Sequence, residues 1–134
     1  MSSEYTNKTM KRVYFQETDA GGVVYFGNMS RFIEIGFCEW FREFVKPMSV
    51  MHDENDIFMV VKKTEQNFIE SLKYDDMICI KTTLMKAKNF SIQFATQILV
   101  DEKIYYTAVT SLVPINYKTG KITKMPAEFS SYIA

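Results

Sequence analysis

The stretch ETDAGGVVYFGN, residues 17–28, holds the residues best placed for chemistry. Asp19 supplies a carboxylate. Gly21 and Gly22 follow it and permit backbone angles closed to other residues. A long helix-periodic run begins just beyond. The N–H groups at a helix start, here near Tyr25 to Asn28, lack intrahelical partners and stand at the positive end of the dipole. They can hold a carbonyl oxygen as it gains negative charge. A carboxylate folded back beside that carbonyl can attack it, or deprotonate a water. The competing reading is a plain turn, because Asp and Gly favour turns for backbone reasons alone.

The elements around this stretch must position it. MKRVYFQE, residues 10–17, has β-branched and aromatic character and reads as a first strand. Residues 1 to about 9 are polar and read as frayed. Asn28 is an N-cap candidate for the run MSRFIEIGFCEWFREFV. Met29, Phe32, Ile33, Gly36, Phe37, Trp40 and Phe44 share one broad helical face, and Pro47 stops the helix. Gly36, in mid-face, lets another backbone come close. Residues 48–56 read as a connection with a short helical turn. Strands are expected at 57–71, 77–87, 90–100 and 104–117, a short return at 122–126, and a closing helix at 127–134. A single helix this apolar needs cover, and an antiparallel sheet can bury one face on it. The expected class is α+β, one domain over 1–134, with a curved antiparallel sheet wrapped around one long central helix. The sheet's outer face or edge leaves room for a second copy.

Other reactive side chains have less support. His52 lies in a polar connecting stretch and reads as a solvated loop residue. No G-x-S-x-G elbow is present. Cys38 and Cys79 have no paired spacing and read as core or boundary residues. One histidine and two cysteines argue against a structural zinc site, so no metal is expected. Lys86 and Lys88, in MKAKN, form the best local basic cluster for cofactor-type phosphates, against a default of solvated lysine. No P-loop or G-x-G-x-x-G appears. Glu39, at the edge of the helix's polar face, reads as a structural or pocket-edge group.

The bulk numbers agree. With 16 basic and 16 acidic residues the formal charge is zero, which does not give the field of a nonspecific nucleic-acid binder. The length, 134 residues, suits one domain. No apolar run is long enough to span a bilayer, and the polar N-terminus reads as no signal peptide. Unpaired cysteines fit a reducing compartment, so the expected location is cytoplasmic.

The quoted stretch resembles the hotdog-fold acyl-CoA thioesterases of the 4-hydroxybenzoyl-CoA thioesterase type. Asp19, Gly22, Val23, Val24, Tyr25, Phe26 and Asn28 match that family's loop ahead of its long helix. The strand segment at 68–98 and the closing SLVPINYKTGKITKMPAEF are similar to it as well. The resemblance implies a hotdog fold, an acyl-CoA substrate and no cofactor beyond CoA as carrier. Asp19 takes the catalytic carboxylate position, as nucleophile or general base. Phe26 takes the position whose backbone N–H polarises the thioester carbonyl, and Gly22, Tyr25 and Asn28 complete the oxyanion and substrate-binding loop. Some relatives place a histidine at position 26, and Phe26 removes any assistance from it. An aromatic there also occurs in relatives acting on aromatic acyl groups, and loops of the 1,4-dihydroxy-2-naphthoyl-CoA thioesterases look most like this one. The family implies a homodimer or homotetramer with active sites at subunit interfaces. An acyl carrier protein is an alternative carrier. The rival class is a non-catalytic hotdog module that binds an acyl chain, for which Asp19 has no use. A hotdog dehydratase would need a catalytic histidine, and His52 is misplaced for that.

Overall fold

In the computed structural model, which describes residues 5–133, the apolar stripe becomes α1, Met29–Phe44. Met29, Phe32, Ile33, Gly36, Phe37, Trp40 and Phe41 are buried along it. Their spacing of three and four puts them on one face. The helix ends before Pro47, with Val45 already outside helical angles.

The sheet comprises β1, Thr6–Arg12, β2, Ile57–Phe68, β3, Met77–Lys88, β4, Ser91–Val100, β5, Lys103–Asn116, and β6, Lys121–Ile122. Its order is β1-β3-β4-β5-β2, with β6 paired to β5, and every pairing is antiparallel. Along β4, Ile92, Phe94, Thr96 and Ile98 are buried, alternating with half-exposed residues. This is the pattern of a sheet with one face on the core. That face curls over α1, and α1 packs chiefly across β1 and β3. A short helix, α2, Met48–Asn55, links α1 to β2.

Much of the aromatic content goes into the core. Trp40 stacks among Phe41, Phe44, Phe94 and Tyr132, with ring centroids 4.9–5.8 Å apart. Its indole N–H donates to the Tyr5 carbonyl at 3.0 Å, so the polar end of a buried ring is satisfied. Gly36 makes room for side chains rather than for the backbone expected: a Cβ there would strike Thr82 Oγ1 and Ile80 Cγ2 on β3.

Four local expectations need correction. The first strand runs over 6–12, not 10–17; Phe15–Glu17 is a turn of 3-10 helix instead. Residues 6–9, expected to fray, are paired with β3 from Thr6↔Thr83 to Thr9↔Ile80, while 1–4 lie outside the described residues. The strand is polar because only alternate residues meet the core, and Asn7, though buried, is satisfied by Glu43 at 2.8 Å. Asn28 does not cap α1 with its side chain; it sits in helical angles at the end of a 3-10 turn, Phe26–Asn28. His52 is on α2 rather than in a loop, its ring stacked on Tyr117 at 4.4 Å.

Candidate active site

The stretch 17–28 folds into a loop closed on itself. Asn28 Nδ2 donates to the Glu17 carbonyl at 2.8 Å, so its first and last residues are bonded together. Within it, the Asp19 N–H donates to the Val23 carbonyl at 2.8 Å and the Gly22 N–H to the Asp19 carbonyl at 3.0 Å. Gly22 has φ +78°, which a side chain would strain. The base of the loop rests on a buried charge. Glu17 is 2% exposed, and its Oε1 accepts from Lys11 Nζ at 3.0 Å and from the Tyr14 N–H at 2.9 Å. A buried carboxylate needs such partners.

A second segment braces the loop. The connection between β2 and β3 receives the Val24 N–H on the Leu72 carbonyl at 2.7 Å, and the Tyr74 N–H donates to the Gly22 carbonyl at 3.3 Å. The Gly22 position faces the Tyr74 ring.

These bonds present two groups. Asp19 is exposed. Its Oδ1 accepts from the Gly21 N–H at 2.8 Å, while Oδ2 has no partner among the described residues. The backbone N–H groups of Phe26 and Gly27 open the 3-10 turn that runs directly into α1. They stand first in that continuous helical segment, so no carbonyl of it reaches them. Together they can donate to a developing oxyanion. Tyr25 lies against Phe26 with ring centroids 4.7 Å apart, and a Cβ on Gly27 would strike the Tyr25 ring.

A cleft of about 310 Å³ opens beside this helix start, walled by Val24, Phe26, Met29, Phe68, Leu72 and Tyr106. The structure thus brings Asp19, Gly22, Tyr25, Phe26 and Asn28 into one loop. It does not bring Lys86 and Lys88 there in the same chain. They lie at the far end of β3, whose first residue, Met77, follows the bracing connection. Nine residues of strand separate Lys86 from that end, about 30 Å at the usual rise. Asn28 acts as the fastener of the loop, through its side chain.

The remaining candidates stay apart. Cys38 is half-buried on α1, and burial, with Glu34 and Glu39 nearby, pushes its thiol up to about 11. That keeps it protonated and unreactive at neutral pH. Glu39 pairs with Arg42 at 3.2 Å on the helix surface. The Lys11–Glu17 pair escaped the sequence reading. Nothing in the sequence marks Glu17 as buried, because the partners that permit it come from β1 and the preceding turn.

A family model described as the thioesterase-like superfamily matches residues 13–133. The chain belongs to this superfamily. A curated relative, the acyl-CoA thioester hydrolase YbgC of Escherichia coli O6:H1, is 30% identical over 123 residues, covering 88% of this chain and 91% of the relative. Among solved structures, a probable thioesterase from Bartonella henselae superposes with TM-score 0.85 at 27% identity, over 90% of this chain and 99% of the other. A 1,4-dihydroxy-2-naphthoyl-CoA thioesterase from Synechocystis superposes with TM-score 0.84 at 19% identity, over 96% and 95%. At that identity the last likeness concerns the fold, which is the hotdog fold in this thioesterase as the resemblance implied.

Proposed function

We propose that this thioesterase-family protein hydrolyses acyl-CoA to a free acid and CoA, with Asp19 as its reactive carboxylate. The observation that carries the reading is one closed loop, beside a cleft, that holds an accessible carboxylate oxygen and two helix-start amides without partners among the described residues. In this mechanism the amides of Phe26 and Gly27 take the thioester oxygen. Asp19 attacks the acyl carbon or removes a proton from the water that does. The C–S bond breaks and the thiolate takes up a proton, from the attacking water by way of Asp19 or, where Asp19 has attacked, from solvent. In that second course water then opens the acyl-aspartyl anhydride, giving the free acid and restoring Asp19. The amides act most strongly once negative charge has developed, which is where donors lower a barrier. The name of the Escherichia coli relative, an acyl-CoA thioester hydrolase, supports the same reaction class.

The acyl group leans aromatic, towards 1,4-dihydroxy-2-naphthoyl-CoA or a smaller relative of it. The rings of Phe26, Phe68 and Tyr106 at the cleft support this. Acyl carrier protein esters are the second carrier to try.

The protein works in this reading as a homodimer or homotetramer in the cytoplasm. β2 is an edge strand, and Phe58, Val60, Val61 and Phe68 on it are each more than 40% exposed. A long apolar edge of this kind invites pairing with another copy. Lys86 and Lys88 meet CoA phosphates in this reading only from another subunit.

Free-thiol release from aromatic and aliphatic acyl-CoAs tests it, with wild type and Asp19→Ala side by side. Turnover by the wild type that disappears in the variant is expected. Undiminished turnover in the variant would remove Asp19 from the mechanism, and no release from any CoA or acyl carrier protein ester would remove the activity.

A further inference from the structure

β1 turns a lysine towards the core. Lys11 pairs across the sheet with the buried Ile78, and its ammonium lies 5.5 Å from the ring centre of Phe32 on α1. Only 18% of its side chain meets solvent. Its Nζ donates to the Arg12 carbonyl and to Glu17 Oε1, each at 3.0 Å. Among the described residues Lys11 is the one ion-pair partner of the buried Glu17. A pair of this kind adds little stability over apolar residues of similar volume, because both charges must leave water. Loss of one partner alone is costly, because the other is left buried and unpaired. Net stability therefore does not account for the pair.

Its place in the chain does. Glu17 opens the loop, and its N–H, its carbonyl and one carboxylate oxygen are all engaged. The N–H donates to the Tyr14 carbonyl at 3.0 Å, and Oε1 accepts the Tyr14 N–H at 2.9 Å in return. The carbonyl accepts from Asn28 Nδ2 at 2.8 Å. Asn28 stands immediately before α1, two residues after Phe26. Asp19 lies two residues after Glu17. One residue thus holds the side of the loop that carries the carboxylate and the side that carries the helix-start amides. Lys11 is the tie from that residue to the sheet. A carboxylate and an oxyanion site act together only at a fixed separation, and a displacement of about 1 Å can cost on the order of a hundredfold in rate.

We propose that Lys11 is a positioning residue: through Glu17 it fixes the separation of Asp19 from the amides of Phe26 and Gly27. The inference rests on the thioesterase reading for the chemistry and on the hydrogen bonds alone for the tether. Lys11 acts through Glu17 and not on the substrate. Without the lysine, the Glu17 carboxylate turns out towards water and carries the mouth of the loop with it.

Two readouts test this on the wild type, Lys11→Met and the double variant Lys11→Met/Glu17→Gln. The first is amide hydrogen exchange followed by NMR, which does not depend on hydrolysis. The Asp19 and Val24 amides donate to the Val23 and Leu72 carbonyls. In Lys11→Met they should exchange about tenfold faster or more, while amides of the β3–β4 ladder keep their wild-type rates. The second readout is thiol release from acyl-CoA. In Lys11→Met kcat should fall about a hundredfold with KM within about threefold, because the tethered groups act in the transition state. Adding Glu17→Gln removes the stranded charge and keeps an acceptor for the Tyr14 N–H. It should recover about tenfold of the lost kcat or more, which a direct effect of Lys11 on the substrate would not give. Glu17→Leu leaves Lys11 free to turn to solvent and should show the same faster loop exchange and lower kcat. It carries the test if Lys11→Met does not fold.

Loop amides that exchange at wild-type rates in Lys11→Met overturn the proposal. So does an unchanged kcat, no recovery in the double variant, or faster exchange spread evenly over the fold, which is a loss of stability alone. Thiol release by the wild type with undisturbed loop amides in the variants leaves the thioesterase reading standing and removes this one. Loosened loop amides with no thiol release by the wild type remove the thioesterase reading, and the positioning of a reaction with it, but leave the tether.

Discussion

Asp19 depends on its neighbours for its posture more than for its surroundings. The Gly21 N–H holds one carboxylate oxygen and leaves the other free. Asparagine can keep that turn, since its side-chain oxygen accepts the same bond, but it brings no charge. Asp19→Asn should therefore melt within a degree or two of wild type while losing two to four orders of magnitude in kcat, about the contribution of a positioned acid–base group. Thiol release and a thermal scan on one preparation read both. Gly22→Ala should cost stability as well as rate, on the order of 1 kcal/mol for a side chain at φ +78°. Urea denaturation measures it. These residues could be read in the sequence because their chemistry is local: an acid, two glycines and a helix start lie within a dozen positions. Glu17 could not. It takes its meaning from a partner on another element, Lys11 on β1.

At the level of elements, the contact between α1 and β3 is tight at one point and imperfect beside it. Gly36 meets Thr82 with no room for a methyl group. Gly36→Ala should gain helix propensity and still destabilise by about 1–3 kcal/mol, because the overpacked neighbours must shift. Equilibrium urea unfolding checks the sign. Thr82 and its cross-strand partner Thr96 are both buried, and neither hydroxyl has a hydrogen-bond partner among the described residues. Thr96→Val should stabilise by about 1 kcal/mol by removing an unsatisfied polar atom at nearly constant shape. The helix itself was plain from its apolar period, and β3 from the alternation of MICIKTTLMKA. β1 was displaced in the sequence reading for a physical reason. Of TNKTMKR only Met10 is apolar, and Met10 faces outward at 60% exposure. The strand is held by its pairing with β3 and by the hydrogen bond that Asn7 makes to Glu43, neither of which a periodicity reports.

Across the whole molecule, Lys46 ties distant parts together. It sits after α1 and reaches Glu54 on α2 at 3.0 Å and Glu128 in the closing 3-10 turn at 2.6 Å. The hydrogen bond from Lys46 holds the Glu128 carboxyl below its ordinary value. A carboxyl depressed on folding adds stability above its unfolded pKa and loses it as pH falls through the lower folded value. Acidification below about pH 4.5 should therefore lower the melting temperature. Glu128→Gln should remove part of that slope. The pair is exposed on the glutamate side, so the effect stays below about 1 kcal/mol. A pH series of thermal scans on both proteins reads the difference. The general plan, a sheet around one helix, was legible because a helix so apolar demands cover. The size and lining of the spaces between them were not, since they depend on which strand ends the sheet curls over α1.

The bond from Val24 to Leu72 and that from Tyr74 to Gly22 carry one more consequence. The connection from β2 to β3 has no part in the proposed chemistry, yet it props the loop that carries the proposed carboxylate. Surface connections usually absorb insertions and deletions at little cost. This one cannot. A residue gained or lost between Phe68 and Met77 would shift the buried Leu72 and mis-set the proposed active-site loop together. Over evolutionary time, the length of this plain connection should therefore be held as strictly as the carboxylate itself, and its changes should mark descendants that altered or abandoned the reaction.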